Sequence, residues 1–222
     1  MKFLHFFFVL VFLTLSSSTY AWDLEHEEDG IQIYTKDISN SNFKAFRGTT
    51  VVNSDLINVI AHQVNIESMS EWLQDCSESE LISKLNGQDM YIYQRTSAPW
   101  PVSDRDYVLH MKMTQNPDDY SVLITFEATR EFSKADVDCV QVTQLTGYWR
   151  FTPLAINKVL VEYETAADPA GQLPSWLANS FVVDQPLGTL KNLKKRVEGN
   201  RYLLPKEMGF IKTGSDDLKQ KP

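Results

Sequence analysis

The sequence is short of the residues that most often carry chemistry, and each shortage closes a route. Its two cysteines, Cys76 and Cys139, match no metal-binding spacing. In an oxidising compartment they could bridge, which sequence spacing neither requires nor forbids. Of the four histidines, His5 falls in the leader described below, and His26, His62 and His110 show no ligand spacing on a helix or strand. There is no G-x-G-x-x-G, no phosphate loop and no G-x-S-x-G elbow. A triad assembled across the fold stays open. Basic residues are the minority, 21 against 29 acidic, for a net charge of −8. That balance excludes non-specific nucleic-acid binding, which needs clustered cations. Long apolar runs are also lacking, apart from Phe3–Leu15, which is too short to cross a bilayer comfortably.

What is present then sorts itself. Lys2 precedes that run, and Thr19 and Ala21 stand at −3 and −1 of a cleavage site. Residues 1–21 are read as a signal peptide, which makes the protein exported, periplasmic or secreted. At 43% hydrophobic and 23% charged, the remainder is a folded chain. Its length suits one domain.

Strand signals dominate. Ile31–Thr35 alternates after the Asp29-Gly30 turn, and Phe43–Val52 is a second strand. Ser54 is the expected cap of a helix carrying Leu56, Ile57, Val59 and Ile60, and a short helical stretch follows over 66–73. A meander then runs from residue 78 to 166. It has a hairpin at Asn86-Gly87, a strand Met90–Arg95, and a strand Tyr107–Met113 with Tyr107, Leu109, Met111 and Met113 on one face. Val122, Ile124 and Phe126 alternate. Val140–Phe151 is a single long strand in which Gly147 marks a bend or bulge, and Val159–Tyr163 closes the set. From Leu173 to Val197 the period changes to that of one amphipathic helix, kinked by Pro186 and capped by Gly199. Residues 201–222 are a polar, poorly ordered tail. A curling antiparallel sheet with a long helix across it can enclose a space.

Three groups are candidates for function. In PWPVSDRD, residues 99–106, two prolines hold Trp100 and the pair Arg105-Asp106 opens a buried strand. Charges there need partners. Either they form an ion pair closing the loop, or Arg105 points into a cavity and takes the polar end of a ligand. Met111 and Met113 are core, or line an adaptable apolar pocket. Lys191, Lys194, Lys195 and Arg196 complement a helix C-terminus or dock on a membrane.

Taken together, Trp22-Asp-Leu, Glu28-Asp-Gly-Ile-Gln-Ile-Tyr, Trp72, PWPVSDRDYV, GYWRFTPL and DPAGQLPSWLANSFVVDQPLGTLKNLKKR resemble START (steroidogenic acute regulatory protein-related lipid transfer) domains in their bacterial exported form. The resemblance spans residues 22–200. It implies an α+β helix-grip fold, a curved antiparallel sheet around a long C-terminal helix with a lipid-sized tunnel between them. It implies binding, and transfer, of a lipid or other hydrophobic small molecule by a monomer without metal or cofactor, with transient membrane contact left open. The apolar body would lie against Met111, Met113, Trp176, Leu177 and Phe181. Arg105, with Gln94 and Tyr93, would hold the polar end, beside the loop bearing Trp100. Some members pair that arginine with an acid on the preceding strand; here the strand reads Tyr91-Ile-Tyr-Gln-Arg, with Gln94 near that place. Two other classes remain. One is an enzyme of the same superfamily, cyclase or hydrolase, using His110 with Asp106 or Glu162. The other is a regulatory binding module of the cell envelope.

Overall fold

The computed structural model describes residues 21–39, 41, 43–132, 138–171, 173 and 175–214, with side chains at all of these but 175, 176, 178 and 179. The expected signal peptide, residues 1–20 above all, lies outside them, as does the end of the chain from residue 215.

Ten strands form one sheet. In chain order they are β1 (Asp23–Glu28), β2 (Ile31–Asp37), β3 (Lys44–Val52), β4 (Cys76–Asn86), β5 (Asp89–Thr96), β6 (Arg105–Gln115), β7 (Val122–Thr129), β8 (Val140–Gln141), β9 (Gln144–Ala155) and β10 (Lys158–Asp168). In space the order is β1-β2-β3-β10-β9-β7-β6-β5-β4, and β8 pairs with β6 where β7 has ended. All pairs but β6–β8 are antiparallel. Alternation makes one face apolar: in β2, Ile31, Ile33 and Thr35 are buried while their neighbours are half-exposed. The helices α1 (Leu56–Gln63), α2 (Ser175–Val182) and α3 (Asp184–Gly199) and a 3-10 turn, Ile66–Glu71, complete the fold. Helix α3 lies on β2 and β3, burying Leu190, Leu193 and Val197 completely or nearly so. Each such side chain contributes about 1.5–3 kcal/mol of burial. The architecture is the α+β helix-grip: a curved antiparallel sheet holding a C-terminal helix.

Several sequence expectations change in detail. The first strand, β1, carried no signal; its residues are mostly exposed. The cap of α1 is Asp55, whose carboxylate accepts the Asn58 N–H at 2.8 Å, while Ser54 accepts from the Asn58 side chain. The stretch from Val140 is two strands: Val140 and Gln141 pair with β6, a pairing that the Val142 N–H extends to the Asp106 carbonyl, and β9, from Gln144, pairs with β10 and β7 instead. Gly147 marks no bulge. It pairs regularly with Thr165 and Phe126, and a Cβ there would lie 2.2 Å from the Glu164 carbonyl oxygen and 2.5 Å from the Phe126 ring, so close packing requires the glycine.

The single kinked helix is two helices. The chain breaks at Val183 (φ −124°, ψ −62°), and Pro186 sits in the first turn of α3, where a missing N–H costs nothing. Gly199 is the last helical residue, and Asn200 follows in extended conformation. The tail also differs. Residues 201–214 return along the domain: Met208 and Ile211 are buried, Glu207 pairs with Lys84, and Gln115 binds both the N–H and the carbonyl of Lys212. In the basic run of α3, Lys191 pairs with Glu28 and Arg196 with Glu71, and Lys194 reaches the Asp29 carbonyl. No helix among the described residues is long and apolar enough to cross a membrane.

Candidate functional site

Between the sheet and the helices lie three hollows that share walls. The outer one, about 100 Å³, is bounded by Phe46 of β3, Arg105 and Tyr107 of β6, Tyr163 of β10 and Phe181 of α2. The middle one, about 40 Å³, shares Tyr107, Leu145, Tyr163 and Thr165 with it. The third, only about 10 Å³, shares Gln63 and Met111 with the middle one and ends at Met113 and Ile124. Among the described residues, no Asp, Glu, His or Cys lines any of the three. Nor does any cluster of these residues elsewhere suit a metal ion.

Arg105 is the charged residue that burial isolates. It is 3% exposed and stands in the wall between the outer hollow and a surface cleft formed by Pro101, Val102, Gly171 and Leu173. Strand alternation sends Arg105 and Asp106 to opposite faces, so they do not form the loop-closing ion pair. That pair is Arg95–Asp104, at 2.9 Å, and Asp104 also accepts the Ala98 N–H. Burial alone would raise the pKa of Asp104, but these two partners outweigh it and hold it below its usual value. The guanidinium of Arg105 donates instead to the carbonyls of Ser103, Pro169 and Ala170. Burial lowers its pKa, and the more distant Asp104 opposes that shift.

The other expected residues divide. Gln94 and Met111 line the middle hollow, Met113 the innermost, and Phe181 the outer. The Gln94 amide donates to the Met69 sulfur, at 3.1 Å. Tyr93 is not with them. As the neighbour of Gln94 on β5 it faces the other side of the sheet, where its hydroxyl meets Asp106 at 3.4 Å. Trp100 lines no hollow and is 92% exposed at the loop tip. Leu177 is buried on α2 without reaching the described walls, and the Trp176 side chain lies outside the described residues. Cys76 and Cys139 form no disulfide; Cys76 is buried, which pushes its thiol up to about 11.

The acid/base groups of the enzyme reading stand elsewhere. His110 is on the outer face, 2.6 Å from Asp89 and stacked on Tyr91 at 4.3 Å. Tyr91 donates to Glu131, which with burial pushes its hydroxyl up to about 12. Glu162 faces Arg150, also outside the hollows.

Two further residues of the middle hollow carry buried polar atoms: Gln63, which the sequence reading passed over, and Trp72, which entered it through the family resemblance. Gln63 and Trp72 are each 1% exposed, and neither Gln63 Oε1 nor Trp72 Nε1 has a hydrogen-bond partner. Gln63 was within reach: it continues the Leu56–Val59–Ile60 stripe of α1, where a glutamine must face the interior.

The sequence from residue 11 to 201 matches the START domain family. The chain belongs to that family. This START domain is 35% identical over 177 residues to the uncharacterized protein PA1579 of Pseudomonas aeruginosa, covering 80% of this chain and 87% of that one. It is similar to the solved STAR-related lipid transfer protein of Xanthomonas axonopodis (32% identity, TM-score 0.71, 78% of this chain and 97% of that one). Human StAR-related lipid transfer protein 5 shares the fold at 17% identity and a TM-score of 0.68, covering 82% of this chain and 88% of the human one.

Proposed function

We propose that this START domain binds a lipid or other hydrophobic small molecule between its sheet and its C-terminal helices and passes it between membranes. The carrying observation is the lining of the hollows: apolar and aromatic walls with a few polar groups and no carboxylate, imidazole or thiol among the described residues. Such walls bury an apolar ligand at about 25 cal/mol per Å². The solved relative at 32% identity is named a lipid transfer protein, which supports the same reading. Phe181, Met111 and Met113 hold the apolar body, and Arg105 with Gln94 holds the polar end.

The loop at 97–104 and the lead-in to α2 form the entrance, since Pro101 and Val102 face Gly171 and Leu173 across the surface cleft. Trp100 at the loop tip is the residue that touches a membrane; an exposed indole favours the bilayer interface. The protein acts as a monomer, outside the cytoplasm, after cleavage at Ala21, so the mature N-terminus is expected to be Trp22. The test is transfer of a pyrene-labelled acyl lipid from donor to acceptor vesicles. Acceleration by the protein, weakened in Trp100→Ala, is the expected result; no acceleration by the wild type overturns the reading of transfer.

A further inference from the structure

The charge in the outer hollow has one sign. Its wall holds Arg105 and Lys44 and, among the described residues, no acid, in a chain where acids outnumber bases 29 to 21. Lys44 is matched by Glu25 at 3.3 Å and is partly exposed. Among the described residues Arg105 has no ion pair, and Asp104 acts on it only through space. Its three partners are backbone carbonyls, dipoles that orient the guanidinium without cancelling its charge. Asp104, the acid that acts on it, is turned to Arg95 and the Ala98 amide. A buried cation without a counter-charge is costly to keep. Guanidinium carries five donors, and three bonds to carbonyls leave one N–H on each terminal nitrogen for an oxyanion. The middle hollow has no charged side chain in its described wall, and the innermost one carries Lys112.

We propose that the ligand is an amphiphile with an anionic oxyacid head, a carboxylate or a phosphate monoester, seated on Arg105, with its apolar body in the middle hollow. This rests on the lipid-binding reading above and narrows it to one charge class. The head supplies the counter-charge that the described wall leaves out, and the two remaining N–H groups donate to it.

The test loads the wild-type protein with Nile red, a neutral probe, and displaces it in separate titrations with palmitate, hexadecyl phosphate, 1-hexadecanol and hexadecyltrimethylammonium. The chains have equal length, so the head alone varies. At least one of the anions is expected to displace the dye at a concentration lower than the alcohol by about tenfold or more, with the ammonium the weakest of the set. Arg105→Gln is expected to bring the anions level with the alcohol. Should that variant fail to fold, the comparison in the wild type decides alone. An alcohol as effective as both anions, or an anion advantage that survives Arg105→Gln, overturns the charge class while leaving lipid binding intact. Failure to bind the dye or any of the four ligands overturns both.

Discussion

Burial without a partner governs His62. The residue is fully buried in α1, with Trp72 at 4.7 Å on one side and Tyr202 at 4.8 Å on another, and neither ring nitrogen has a hydrogen-bond partner. Desolvation, helped by Arg196, lowers its pKa from 6.5 to about 4. Neutral histidine is therefore the folded form, and the unfolded chain binds the proton first as pH falls. The stability this burial contributes is complete above about pH 6.5 and is lost as pH drops towards 4, by up to roughly 3 kcal/mol. Urea unfolding at pH 7 and pH 4.5 is expected to show that loss, and His62→Phe is expected to flatten it. An equal pH dependence in both proteins would contradict the assignment. The sequence showed His62 only as a histidine without ligand spacing. Its isolation follows from Tyr202, on a segment read as tail, folding back against it. Tyr93 went wrong for a more local reason: it was grouped with Gln94, although adjacent strand residues face opposite ways.

At the scale of elements, periodicity located the strands of the meander and the C-terminal helical region, because their buried faces follow the sheet and helix periods. It could not place the break in that region. Apolar spacing continues through α2 and α3, so the pattern reads as one helix, whereas the backbone turns at Val183, ahead of Pro186. Gly199 gives a test of this boundary. It stands inside the end of α3, and nothing lies within 4 Å of an added Cβ. Gly199→Ala is expected to raise stability by about 0.5–1 kcal/mol, whereas a glycine needed for a left-handed cap would make the same change destabilising. Thermal melts decide the sign. Gly147→Ala is expected to destabilise by about 1–3 kcal/mol or more, because backbone and a ring both stand in the way. The entrance is tested at this scale too. Val102→Cys paired with Leu173→Cys, on a background with Cys76 and Cys139 replaced by alanine, is expected to slow ligand exchange when oxidised. Exchange at the reduced rate would move the entrance elsewhere.

For the whole molecule, the helix-grip was legible before its details, since a run of strands followed by a long amphipathic stretch has few ways to bury both. The family resemblance and the packing agree on it. The tail was not legible. Met208 and Ile211 are spaced too sparsely to show a period, and their burial depends on Gly87, where a Cβ would lie 2.6 Å from the Glu207 carbonyl oxygen. Truncation after Arg201 is therefore expected to lower stability by several kcal/mol, at about 1.5–3 per buried side chain, where a free tail would cost nothing. The central claim, that the space between sheet and helices is built for a lipid, is tested most directly on the protein as it is produced. The measurement is native mass spectrometry of the purified chain, followed by organic extraction and identification of what is released. A bound or exchangeable acyl lipid at up to one per monomer is the predicted result. A protein that is empty as purified, and stays empty after incubation with extracted membrane lipids, would contradict the account.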